Sequence, residues 1–212
     1  MGAVLGTSAR TRLRRLPEKA VDDRATLHTI LDEAMVAHVA LVDGHHPFAL
    51  PCGYAREGER LLLHGSTGSR LMRSLAAGVP ACVTVTLLDG IVYAKSLFNS
   101  SMHYRSAMVL GRGVAVPDDL KEHALHVISD HLMPGRWADA RPPSKRELAS
   151  TLVVAFPLDE ASVKVSDGPP EEEPEDEGWS PWTGVLPLEL RPGSPTSMDG
   201  VPVPDYVVRW RP

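Results

Sequence analysis

Leu61-Leu-Leu-His64-Gly65-Ser66-Thr67-Gly68-Ser69-Arg70-Leu71-Met72-Arg73-Ser74-Leu75 is the stretch on which the fold reading turns. The leading apolar run suits a short strand, and Leu71, Met72 and Leu75 fall at helical spacing. Small polar residues and glycines join the two halves. A strand that runs through such a turn into a helix start leaves backbone N–H groups aimed at one spot. Those donors and the positive helix end favour an anion. Arg70 adds a fork of donors that matches a phosphate. Gly65 to Arg70 therefore reads as a phosphate cradle, against the plainer alternative of an ordinary strand-to-helix turn.

Working outward, the preceding chain reads as a meander. Asp22 or Asp23 is placed to cap a helix burying Leu27, Ile30, Leu31 and Ala34. Met35 to Val42 reads as a strand. Asp43-Gly44 is a hairpin signal, Phe48 to Tyr54 a second strand and Leu61 to His64 a third. After the cradle and its helix, Ala81 to Leu87, Ile91 to Phe98 and Ala107 to Val116 read as strands, with Asp89-Gly90 as a turn and Gly111 and Gly113 marking a bend. Pro117-Asp-Asp119 opens a helix to Met133, and Ser144-Lys-Arg-Glu147 fits a capping box. Thr151 to Phe156 and Ala161 to Val165 complete the strands. The expected fold is mainly β with flanking helices, a curved antiparallel sheet closing into a barrel.

The chain has 212 residues, 43% of them hydrophobic, and a formal net charge of −5. A sizeable core is possible, and neither nucleic acid nor a membrane surface is favoured as a partner. Two cysteines, Cys52 and Cys82, make neither a disulfide framework nor a zinc motif. No histidine set has metal-ligand spacing, so no metal is expected from the residues. His28, His38, His123, His126 and His131 read as structural or exposed. A cytoplasmic location is expected.

Four segments are expected. Residues 1–19 carry Arg10, Arg12, Arg14 and Arg15 without a following apolar run, and read as a flexible arm. Residues 20–166 form the barrel. Residues 167–190 contain the acidic run Glu171 to Glu177 and then Trp179 and Trp182. The two tryptophans need cover, from the barrel itself or from a ligand or partner subunit. Residues 191–212 form a Pro-rich tail expected to wander, with Tyr206 to Trp210 as an optional edge strand.

An ordered set of motifs resembles the FMN-binding split-barrel proteins related to pyridoxamine 5′-phosphate oxidase, in the branch of nitroimidazole-resistance-like proteins. The set is Leu50-Pro-Cys-Gly-Tyr54, Leu63-His-Gly-Ser-Thr-Gly-Ser-Arg70, Ser101-Met-His-Tyr-Arg-Ser106 with Val109-Leu-Gly-Arg112, and Pro181-Trp-Thr-Gly184. Pro134-Gly-Arg-Trp137 and Pro157-Leu-Asp-Glu-Ala161 also fit. The resemblance implies a six-stranded antiparallel split β-barrel and a homodimer with FMN at the subunit interface. It assigns the flavin phosphate to Ser69 and Arg70 and the ring to the strand with Pro51, Cys52 and Gly53. His64, Gly65 and Ser66 would lie near the ring and ribityl chain. Tyr104, Arg105 and Ser106 would complete the ribityl-phosphate side, and Trp182 would approach the ring.

A flavin supplies the redox chemistry itself, so the sequence requires no catalytic acid or base, and none is identified. His64 and His103 are the histidines placed to move a proton. Relatives commonly carry Asn where His103 stands, and other residues at Cys52 and Gly53. The substrate motifs of true pyridoxamine-phosphate oxidases are not matched, so that reaction is not expected. The function implied is an FMN-dependent oxidoreductase acting on a small organic molecule. One alternative is a haem protein of the same fold with His64 as axial ligand; another is a flavin-binding protein without turnover.

Overall fold

The computed structural model describes residues 4–198 and 200–211. Met1 to Ala3, Asp199 and Pro212, which belong to the expected arm and tail, lie outside the described residues.

A short strand β1 (Ala20–Val21) leads into helix α1 (Arg24–Glu33), which Asp23 caps by accepting from the Ala25 and Thr26 N–H groups. The meander follows as β2 (Val36–Asp43), β3 (His46–Glu57) and β4 (Arg60–Ser66). Helix α2 (Arg70–Ala76) leads into two long strands, β5 (Pro80–Tyr93) and β6 (Ser101–Arg112), and then the two-residue β7 (Val114–Ala115). Three helices, α3 (Asp118–Leu132), α4 (Arg136–Asp139) and α5 (Lys145–Ser150), precede β8 (Thr151–Pro157) and β9 (Glu160–Ser166). A late strand β10 (Gly184–Pro187) and a short helix α6 (Asp205–Val208) complete the chain.

The neighbours run β1-β9-β6-β5-β2-β3-β4-β8-β7, every pair antiparallel, with β10 on the end of β5. Because β7 continues directly from β6 yet pairs with β8, the path returns on itself and the barrel closes. Gly113 is the corner. A Cβ there would lie 2.5 Å from Val154 Cγ1 and 2.9 Å from the Leu75 carbonyl oxygen, so only glycine lets the strand turn against β8 and α2.

The core has two layers. Leu61 and Leu63 point into the barrel with Tyr54, Val39, Val83 and Phe156. Leu62 points outward, beneath α3, with Ala55, Val153, Ala124 and Ile128. The continuous apolar run in β4 is thus explained by burial on both faces. Tyr54 is fully buried and its hydroxyl donates to the Leu31 carbonyl at 2.7 Å, which ties α1 to the barrel.

Several expectations are corrected. Asp89-Gly90 does not end a strand: β5 runs through it, with a register shift between Leu88 and Gly90. The glycine is needed because the Leu186 carbonyl of β10 would lie 3.0 Å from a Cβ. Strand β6 begins at Ser101, ahead of the expected strand start at Ala107. The N-terminal arm is docked. Leu5 and Thr11 are buried, the Gly6 N–H donates to the Ala161 carbonyl at 2.9 Å, and Arg10 and Ser8 both bind Glu160. Of the acidic run, Glu172 pairs with Lys95 at 2.8 Å and Asp176 is buried. Residues 205–208 are helical rather than an edge strand, and they dock on α3 and α4.

Gly113→Ala is expected to lower stability by about 1–3 kcal/mol through this overpacking, read as a reduced denaturation midpoint with unchanged slope. An unchanged midpoint would show that the corner can open without cost.

Candidate functional site

The site begins where β3 and β4 part company. They pair from Glu57↔Arg60 to Tyr54↔Leu63 and no further. Beyond that point β3 continues alongside β2 only, from Gly53 back to His46, while β4 stays with β8 through His64, Gly65 and Ser66. The gap where the strands part is therefore flanked by Pro51, Cys52 and Gly53 on one side and by His64 to Ser66 on the other. Strand alternation divides this segment between two surroundings.

The cradle differs in detail from the expectation of free donors. The Thr67 N–H donates to the Ser150 carbonyl at 2.9 Å, the Gly68 N–H to Ser66 Oγ at 3.1 Å, and the Ser69 N–H to the Ser66 carbonyl at 2.9 Å. The Ser69 side chain caps α2 by accepting from the Met72 N–H. These bonds shape the turn rather than leaving its donors open. Gly65 is a packing residue, since a Cβ would lie 2.9 Å from Met72 Cγ. What the turn offers an anion is the exposed Arg70 guanidinium together with the Ser66, Thr67 and Ser69 hydroxyls. Arg70 lies over the Phe48 ring, 4.4 Å from its centroid, and pairs with Asp43 at 3.2 Å. It thereby bridges the turn to the free stretch of β3.

His64 shares its outward face with Leu62 and opens into a cavity of about 480 Å³. Leu125, Ile128 and Leu132 of α3 and Trp137 of α4 form its apolar wall, and Arg136 and Arg141 stand at its edge. Desolvation by these walls pushes the His64 pKa below its ordinary value of 6.5. The imidazole is thus neutral at pH 7, the state in which a ring nitrogen can ligate a metal. Arg141 is held by two bonds to Glu147, whose carboxyl drops to about 2, chiefly through Arg141 and then Ser144. Spacing rules overlooked this cavity, because its lining is spread over β4, α3, α4 and the following loop. The Pro134-Gly-Arg-Trp137 motif was the available signal.

The remaining site residues lie elsewhere in the chain. Arg105 gives four hydrogen bonds to Glu33 and Asp89, at 2.5–2.9 Å, so its fork is committed to fastening β6 to α1. Tyr104 and Ser106 face the opposite side of β6, and the Ser106 hydroxyl donates to the Lys164 carbonyl. Strands β6 and β3 are separated by β5 and β2, roughly 14 Å at ordinary strand spacing. Trp182 packs on Tyr93, with ring centroids 5.4 Å apart, and is 67% exposed. The chain therefore brings together Pro51 to Gly53 with His64 to Arg70, but not Tyr104, Arg105, Ser106 or Trp182.

Three histidines of α3 are engaged locally. His123 pairs with Glu57, His126 stacks on Trp137 and His131 bonds the Ala34 carbonyl. His103 bonds the Gly168 carbonyl at 2.8 Å, at the far end of the sheet. Burial raises the Cys52 thiol pKa, which leaves it protonated. Among the described residues no group of three His, Cys, Asp or Glu could hold a metal ion, and no helix is long and apolar enough to cross a membrane.

Comparison with known proteins agrees with the fold. A family model described as pyridoxamine 5′-phosphate oxidase matches residues 23–165. The FAD and haem binding protein from Mycobacterium smegmatis is 43% identical, with 90% of this chain and 96% of that one covered and a TM-score of 0.86. The flavocytochrome Anf3 from Azotobacter vinelandii is 35% identical over 98% and 99% of the two chains, with a TM-score of 0.89. A Bacteroides thetaiotaomicron protein named for 5-nitroimidazole antibiotic resistance, 24% identical over 69% of this chain and 86% of that one, shares the fold with a TM-score of 0.59. A search of curated proteins returned no match.

Two outcomes are expected. His64, followed by NMR, should titrate with a midpoint below 6.5, and the sign of its contribution to stability follows. The unfolded chain takes up the proton first, so stability falls as pH drops through 6.5 and levels off below the folded midpoint. A midpoint at or above 6.5 would contradict the desolvated cavity. Arg105→Met should cost about 1–3 kcal/mol of stability through the lost charged hydrogen bonds and leave flavin affinity unchanged. A selective loss of flavin would return Arg105 to the binding site.

Proposed function

The chain belongs to the pyridoxamine 5′-phosphate oxidase family, and from that premise we propose that it is a flavocytochrome, binding a flavin and a haem at adjoining sites. The observation that carries this reading is the division at His64. The imidazole faces the apolar cavity under α3, whereas the turn that follows it directly in sequence presents the phosphate-binding side chains. The two cofactors weighed as alternatives in the sequence thus have separate places.

Both places fit their occupants on the chemistry of their donors. A neutral imidazole opening into an apolar wall suits haem iron, and Arg136, half exposed at the cavity edge, suits its acidic groups. For the flavin, Arg70 offers a charged fork for the phosphate, and β3 from His46 to Gly53 leaves one edge without a neighbouring strand. The Mycobacterium smegmatis relative binds FAD, which favours FAD over the FMN expected from the motifs; both carry the phosphate that Arg70 would hold. A flavin accepts a hydride and passes on single electrons, and a haem iron carries one electron at a time. The chain's residues bind and orient the two groups, and the α3 and α4 walls exclude water. We assign the protein an oxidoreductase role toward a small organic molecule.

A homodimer completes the flavin site in this reading. Tyr104, Ser106 and Trp182 lie across the sheet from the cleft of their own protomer. Val36, Val42, Leu88 and Met102 are exposed on the outer sheet face, and Trp179 and Trp182 on the C-terminal segment. A second copy would cover this apolar surface and bring those residues to the cleft.

The test is the visible spectrum of the purified protein and two variants, with the released flavin identified by mass. Flavin bands and a Soret band are expected together. Arg70→Ala should weaken flavin binding about 10–100-fold, the loss of a charge-assisted bond, and keep the Soret band. His64→Ala should lose the Soret band and keep the flavin. A parent protein that takes up neither group on titration would sink the reading.

A further inference from the structure

The cavity that opens on His64 is bounded partly by short elements, which α3 ties through His126 stacked on Trp137 and Asp130 accepting from the Gly135 N–H at 3.1 Å. Helix α4 has four residues and lacks a side-chain cap. A helix this short has no independent stability in water. It follows a sharp corner at Gly135, where φ is +85°. Leu132 ends α3, so its carbonyl lacks a partner within the helix. Yet Leu132, Met133, Arg136 and Trp137 all line the cavity.

The last residues of the chain supply what these elements lack. The Trp210 indole N–H donates to the Leu132 carbonyl at 3.0 Å. The Tyr206 hydroxyl donates to Asp139 Oδ2 at 2.7 Å and accepts from Arg136 Nη1 at 3.0 Å. The Tyr206 side chain also lies over the corner, so that a Cβ on Gly135 would come within 3.2 Å of it. Both aromatic residues are half-buried, in a segment where most neighbours are exposed. Arg136 is held from both sides, by Tyr206 and by Asp139 at 3.2 Å.

We propose that Tyr206 and Trp210 are positioning residues for the His64 cavity, which hold its α3–α4 wall and Arg136 in place and so set how long a ligand stays. The retention part rests on the haem reading; the holding of the wall does not. The terminal segment thus acts as a strap across the corner, more than sixty residues away in sequence from the groups it fastens.

The experiment compares the full-length protein with Tyr206→Phe and Trp210→Phe, singly and combined. Tyr206→Phe keeps the ring and removes only the hydroxyl with its two bonds, whereas Trp210→Phe removes the indole N–H together with part of the ring, so the single Tyr206 variant isolates the hydrogen bonds. Hydrogen exchange is read at the amides of residues 133–140, and haemin release is timed with excess apomyoglobin as acceptor. The double variant should show exchange about tenfold faster or more at the corner, from loss of bonds worth about 1 kcal/mol each, with β4 and β8 unchanged. Haemin release should quicken by a similar factor while flavin affinity stays as in the parent. Unchanged exchange at the corner overturns the proposal whatever haemin does. Faster exchange with unchanged release overturns the claim on retention. A parent that takes up no haemin removes the haem reading and the retention claim with it, and exchange alone then decides whether the strap holds the wall.

Discussion

Everything at the site depends on the last rung between β3 and β4, the pairing of Tyr54 with Leu63. Up to that rung the two strands are a buried hairpin, with Tyr54 fixed to α1 and Leu62 covered by α3. Past it they have different neighbours and separate. The rung is firm because Tyr54, Leu61, Leu62 and Leu63 are all fully buried. Opening it would expose both core layers together, so the cleft has a fixed vertex.

The two surroundings on either side of β4 follow from strand geometry alone. A period of two sends Leu61 and Leu63 inward and Leu62 and His64 outward. The helix that covers Leu62 is long enough to reach past it, and α4 and the loop to Pro143 extend its apolar wall alongside His64, which itself stays exposed. The packing that stabilises α3 on the barrel thus also partly desolvates the imidazole. Stability and chemistry share one interface, and substitutions in α3 act on both.

Much of this arrangement was legible in the sequence. The meander, the Asp23 cap, the Ser144–Glu147 capping box and the strand-turn-helix at His64 to Leu75 are local signals, and the structure agrees with them. The separation at Tyr54 was not legible, because it depends on which strand sits beside which. The roles of Arg10 and Arg105 were hidden for a similar reason. A basic residue reads as a tail charge or a phosphate ligand until its carboxylate partner is known, and Glu160, Glu33 and Asp89 are far away in sequence. Asp89-Gly90 carries the same local signal in a hairpin and in a bulge, and only the packing of β10 against Gly90 separates the two.

The alternation along β4 also limits how this protein can change over time. Each face can be altered by substitution without touching the other. Inserting or deleting a single residue between Leu62 and Ser66 would exchange the faces, turning His64 toward the barrel interior and the cradle out of its place. Length in this strand is therefore as firmly constrained as the identities of His64 and Gly65. The chain cannot gain or lose a position there and keep both surroundings intact.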